Sequence, residues 1–146
     1  MDAVDQVSDL LGRPLTLAET RVVQEEGYAE GCYKDTKGIR TCGVGQTGIW
    51  IKRGFEASFA HHVLRVRNRI PRFAKFPLEV QAELIQSEYR GDLGISPKAL
   101  QLLNAGQYHK ASIEFLNNDE YRDPMTSRGI RGRMEATANA IASLAG

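Results

Sequence analysis

Each thing the chain lacks removes a class of protein. There are only two cysteines, Cys32 and Cys42, in 146 residues, so a disulfide-stapled scaffold is excluded. Neither H-E-x-x-H nor C-x-x-C spacing occurs. His61 and His62 are adjacent, and so point differently from a helix, while His109 is distant. No metal and no cofactor is expected. No apolar run approaches the ~20 residues that cross a bilayer. The opening "MDAVDQVSDLLGRPLT" has acids where a signal peptide needs a basic region, and it lacks an apolar core. Membrane insertion is therefore not expected either. Acids are missing from Ala57 to Leu78, a stretch that holds Arg65, Arg67, Arg69, Arg72 and Lys75. Such a run can attract nucleic acid or an anionic envelope, but it reads here as a solvated helix face. No nucleic-acid partner is expected.

What is present amounts to a single globular domain, 1–146. Hydrophobic residues make up 42% of the chain, enough to bury a core without staples. The periodicity predicts a short amphipathic helix over 2–11, stopped by Gly12-Arg13-Pro14. Thr16 and Glu19 are spaced as a capping box for a second helix that closes near Gly27. From Gly31 to Lys52 the period changes to two. "CYKD" and "IRTC" flank the turn Thr36-Lys37-Gly38, and "GIWIK" is expected to add a third strand. After Gly54 the pattern is helical: one long helix from Phe55 to Arg69, and another from Pro77 to about Arg90. A third has Ser96 as N-cap and Pro97 at its first position, and two more are expected near 107–117 and 129–144. The expected fold class is α+β. A sheet-bearing lobe (about 16–54) and a larger helical lobe (77–146) are joined by a connecting helix (about 55–76), after an N-terminal extension of residues 1–15. Two lobes imply a cleft, where ligand sites tend to lie.

Two tempting motifs lead nowhere. "GVGQTG" satisfies G-x-G-x-x-G, but no helix opens at its glycines and no acid follows at the right distance, so it reads as a turn rather than a phosphate cradle. Arg90-Gly91-Asp92 reads as a helix end, not an adhesion tripeptide.

The chemistry-bearing residues cluster between 26 and 46. Cleaving a glycosidic bond takes a carboxyl that is protonated near neutral pH, which shielding from water favours, and a second that stays ionised. Glu26, at the end of an apolar helix beside a sheet, suits the first role. Asp35, next to a turn, suits the second. If Asp35 pairs closely with Ile39, then Tyr33 faces Thr41 and Cys32 faces Cys42. Alternation then puts Asp35, Tyr33 and Thr41 on one face, where Thr41 can help hold an attacking water. Gly43 and Gly45 leave backbone bare, so that a sugar chain can approach. Cys32 and Cys42 would lie opposite each other, close enough for a disulfide; a pair of small buried thiols is the equal alternative. Trp50, Tyr28 and Tyr33 can stack on sugar rings, although core packing is the commoner use.

Residues 26–45, "EGYAEGCYKDTKGIRTCGVG", closely resemble the signature of the phage-type lysozymes, the muramidase endolysins. The shared elements are Glu26-Gly27 at a helix end, Tyr33-x-Asp35-Thr36, a glycine, and Thr41-x-Gly43-x-Gly45. "GIRGRMEA", residues 129–136, is similar to the family's closing Gly-Leu-x-x-Arg motif. The resemblance implies a lysozyme-like fold and hydrolysis of the β-1,4 bond between N-acetylmuramic acid and N-acetylglucosamine. Glu26 would be the general acid, and Asp35 and Thr41 would position the water. Inversion at the anomeric carbon would need the carboxyls ~6.5–9.5 Å apart. The resemblance also implies that an arginine pairs with Glu26: Arg133 by the motif match, with Arg131 and Arg128 as alternatives. There are departures. Tyr89-Arg90-Gly91 stands where the family has Asn-x-Gly, Gln46 replaces a common histidine with little expected consequence for the chemistry, and residues 1–15 precede several relatives' start.

The expected partner is a peptidoglycan glycan strand, met by a monomer. Such a protein would be made in a host cytoplasm and would reach periplasmic peptidoglycan by holin-type release or as part of a virion. Two rival functions remain: a lytic transglycosylase, in which one acid suffices, and a non-catalytic wall-binding virion module.

Overall fold

A computed structural model describes residues 1–146. The chain is α+β and mostly helical, with one two-stranded antiparallel sheet. Helix α1, Ala3–Leu11, starts at Asp2, whose side chain accepts from the Asp5 amide, and ends at Gly12 in the left-handed region. Helix α2, Leu17–Glu26, opens with the capping box: Thr16 accepts from the Glu19 amide, and the Glu19 side chain accepts from that of Thr16. Both devices satisfy first-turn amides that have no helical partner.

Strands β1, Ala29–Lys34, and β2, Arg40–Gly43, pair with Tyr33 opposite Thr41 and Cys32 opposite Cys42. The Asp35 amide donates to the Ile39 carbonyl at 2.9 Å. The register is the one the alternating pattern predicts. Cys32 and Cys42 are joined as a disulfide across it.

The third strand does not form. Residues 50–53 are a helical turn, α3 (Trp50–Arg53), set between Gly48 and Gly54, both at positive φ. An alternating run this short is ambiguous between strand and helix, and flanking left-handed glycines turn the chain away from the sheet. The turn places the Trp50 ring 4.8 Å from His61 and 6.5 Å from His62. Trp50 therefore packs on the next helix, α4 (Phe55–Arg69), which has the predicted limits.

The 3-10 turn Phe73–Lys75 leads into α5, Leu78–Arg90. Helices α6 (Pro97–Asn104), α7 (Tyr108–Phe115), α8 (Asp119–Arg122) and α9 (Arg128–Ser143) complete the chain. Ser96 precedes α6 but makes no cap bond; its hydroxyl donates to the Asp92 carbonyl instead, at 2.9 Å. The missing N–H of Pro97 already leaves the first turn with fewer amides to satisfy. No helix is long and apolar enough to cross a membrane.

Helix α5 is the hub. It packs on α2, α4 and α9, and Val80, Ala82 and the whole run Leu84–Glu88 are buried. One cluster of 20 buried residues runs from Val7 to Ile141, so the elements expected in different lobes share a single core. The N-terminal segment belongs to it: Val7 is fully buried, and Arg13 bridges Glu19 and Glu56 at 2.7 and 3.2 Å. Residues 1–15 are thus a structural part of the domain.

Val7→Ala should lower the unfolding free energy by about 2 kcal/mol, from lost burial and a residual cavity. Leu10→Ala, at a position 65% exposed, should change it by less than about 0.5 kcal/mol. Urea denaturation of the two variants checks this; equal effects would mean that α1 is not anchored through Val7.

Candidate active site

Three elements meet at Glu26. The residue ends α2, where Gly27 at φ 74 turns the chain toward the hairpin. Its side chain is 20% exposed, and Oε2 lies 3.0 Å from Nη1 of Arg133 on α9. Of the three candidate arginines, it is therefore Arg133 that reaches Glu26. Arg131 donates to the Asp123 carbonyl and lies 6.0 Å from the Tyr121 ring, and Arg128 is exposed.

Arg133 is itself only 6% exposed, and a buried guanidinium must be paired and hydrogen-bonded to persist. Gln86, fully buried on α5, does this: its Oε1 accepts from Arg133 Nε at 2.5 Å and its carbonyl from Nη2 at 2.9 Å. The Gln86 amide nitrogen donates in turn to Thr137 at 2.9 Å and to Glu83 at 3.1 Å. Arg21 closes the network by pairing with both Glu83 and Glu25, and Glu25 stands 4.0 Å from Arg133. None of Gln86, Glu83, Arg21 or Glu25 was singled out by the sequence pattern. The available signal was Gln86 within "AELIQSEY": a polar side chain at the centre of a buried helix needs partners.

The Oε1 side of Glu26 faces the loop after β2. A Cβ on Gly45 would sit 3.0 Å from that oxygen, and Gly45 has φ +66. A Cβ on Gly43, φ +59, would sit 2.8 Å from Gln46 Oε1. The space that side chains at these positions would take is occupied by Glu26 and Gln46. Gln46 has a structural role in this loop. It is 7% exposed, exchanges backbone bonds with Cys42 at 2.8 and 2.9 Å, and accepts from the Val44 amide at 2.5 Å. It holds the tight loop that meets the acid.

Tyr89, at the departed Asn-x-Gly position, braces the same loop. Its hydroxyl donates to the Val44 carbonyl at 2.9 Å and accepts from Ser58 at 3.3 Å. Burial pushes its phenol up to about 12, with the nearby charge of Glu26 adding to this, so it remains a neutral donor. Arg90 pairs with Asp92 and with Glu120 on α8, both at 2.7 Å. Arg90 holds the Glu120 carboxyl below its usual range, and Lys37 at the hairpin tip contributes to that lowering. The tip therefore lies within electrostatic reach of α8. Next to Tyr89, burial lowers His62 from its ordinary value.

The hairpin fixes the remaining acid. Asp35 Oδ1 accepts from the amides of Lys37 at 2.8 Å and Ile39 at 2.9 Å, a turn device that fixes the orientation of its carboxyl. Its other oxygen makes no protein hydrogen bond. Thr41 is 5% exposed and donates to the Ile39 carbonyl at 3.1 Å. Tyr33, its cross-strand partner, is 49% exposed. Glu26, Asp35 and Thr41 line none of the five principal surface cavities. No group of three His, Cys, Asp or Glu residues is arranged to hold a metal ion. The chain matches no family model, no curated protein and no solved structure.

Gln86→Leu should cost about 3 kcal/mol of stability, because it strands a buried guanidinium N–H. Chemical denaturation beside Thr137→Val, which removes only an outer partner, measures it. A loss no larger than that of Thr137→Val would rule out Gln86 as the support for Arg133.

Proposed function

We propose that this chain is a muramidase that hydrolyses the β-1,4 bond between N-acetylmuramic acid and N-acetylglucosamine in peptidoglycan, with inversion. The observation that carries the reading is the 3.0 Å contact of Arg133 with Glu26, which are 107 residues apart. These are the two residues that the family resemblance pairs, from opposite ends of the chain.

In this reading Glu26 gives its proton to the leaving glycosidic oxygen as the bond breaks. Arg133 and Gly45 restrict the carboxyl to one orientation, which supplies the positioning that proton transfer needs. Asp35 accepts a proton from the attacking water. One of its oxygens is tied into the turn, so the free one presents a fixed lone pair to that water. Thr41, donating to Ile39, keeps a lone pair to accept the water's second hydrogen. The proton lost by Glu26 and the one gained by Asp35 return through solvent, and no covalent sugar–enzyme bond is needed. The enzyme acts on the wall after release from a host cytoplasm or as a virion component.

One observation favours a second reading. Thr41 is nearly covered and its hydroxyl is already engaged. That arrangement suits a lytic transglycosylase, in which a substrate hydroxyl replaces water. Muropeptide mass spectrometry separates the two: hydrolysis adds a water to each cut, and transglycosylation leaves anhydro ends.

Glu26→Gln should lower the clearing rate of outer-membrane-permeabilised Gram-negative cells by at least ~10²–10⁴-fold, with the thermal midpoint kept near the wild-type value. Turbidity measured beside circular dichroism checks this. Clearing retained by Glu26→Gln would remove the assignment, and binding to sacculi without any clearing by the wild type would point to a wall-binding module.

A further inference from the structure

The back of the hairpin carries a second surface that the muramidase reading does not use. Alternation along the strands puts Lys34 and Arg40 directly opposite one another, on the disulfide's face, while Tyr33 and Thr41 point to the other side. Like charges in that relation destabilise a hairpin. Arg40 also lines a depression of about 490 Å³ with Gly48, Ile49, Ile51, Lys52 and Arg53. This is the α3 segment that was expected to form a strand.

Four cations therefore crowd one side of the molecule, and none of them forms an ion pair. The only polar contact of the Arg40 side chain is with Cys32 Sγ at 3.6 Å, and Arg53 lies 5.7 Å from the Trp50 ring. Seven arginines elsewhere, Arg13, Arg21, Arg65, Arg69, Arg90, Arg122 and Arg133, do meet carboxylates. The acid that lines the adjoining hollow with Arg53, Glu56, is held by Arg13 at 3.2 Å. Between the cations stands Ile49, 60% exposed.

We infer that this face, Lys34, Arg40, Lys52 and Arg53 around Ile49 and Ile51, is a docking surface for the phosphate headgroups of an anionic lipid bilayer. The charge complement is direct, since unpaired cations gain from each anionic headgroup they approach. The exposed isoleucine selects the bilayer over a hydrated polyanion. At a headgroup–acyl boundary an apolar side chain loses water contact, whereas against a nucleic acid or an acidic wall peptide it gains little. The contact is peripheral and requires no spanning helix. It is independent of the reaction proposed for Glu26.

The test is co-sedimentation with vesicles of phosphatidylglycerol and phosphatidylcholine, and with vesicles of phosphatidylcholine alone. The wild type should bind only the anionic vesicles, and less tightly as salt rises. Arg40→Gln/Lys52→Gln should reduce partitioning roughly 30-fold, from two cations removed, and Ile49→Ser should also weaken it. Arg67→Gln, which removes an exposed and unpaired cation of α4, should leave it unchanged. Circular dichroism monitors folding, and Lys52→Gln alone, at an exposed position outside the sheet, gives a second reading if the double variant is unstable. Wild-type protein that stays off anionic vesicles would overturn the proposal, as would Arg67→Gln losing as much as the double variant. So would a charge-dependent affinity seen only for purified sacculi.

Discussion

The arrangement around residues 26–46 rests on one buried cation. Arg133 comes from α9, Glu26 from the end of α2 and Gln86 from the middle of α5, and the guanidinium touches both of the others. A charge removed from water is tolerated only where every N–H has an acceptor. Three helices distant in sequence must therefore dock in one relation before the acid is oriented at all. The helical core and the candidate site are in this sense the same object: displacing α5 would leave Nε and Nη2 of Arg133 without their acceptors, and the group that orients Glu26 without its support.

On the other side the acid meets loop backbone rather than a helix. Gly45 can approach Glu26 because it lacks a Cβ and adopts positive φ. The loop that carries it is held by Gln46 from within and by Tyr89 from α5. The hairpin leading into it is fixed at both ends, by the Asp35 turn at its tip and the Cys32–Cys42 bridge near its base. Each of these contacts restricts a short, poorly covered ribbon that could not be stable alone.

Local chemistry explains which parts were legible in the sequence. The capping box of α2, the limits of α4 and the Tyr33–Thr41 register depend on residues close in sequence, and the structure shows all three. The pairing of Arg133 with Glu26 could be anticipated only by resemblance, because no local rule connects residues 107 apart. Gln86 escaped because hydropathy scores a glutamine as surface, whereas here it answers a buried charge. The "GIWIK" segment was misassigned because five alternating residues carry too little periodicity to outweigh two left-handed glycines. The amphipathic pattern of residues 2–11 announces a helix that packs, but that Val7 rather than Leu10 enters the core depends on neighbours brought together only by folding.

The central claim is that Glu26 supplies a proton while Asp35 directs a water to the opposite side of the sugar. That geometry dictates stereochemistry, and the first product records it. Proton NMR of a β-linked glycan fragment, followed from the first seconds of digestion, should show the α-anomer at the new reducing end before mutarotation. A first product with the β configuration, or one with no reducing end, would contradict the account.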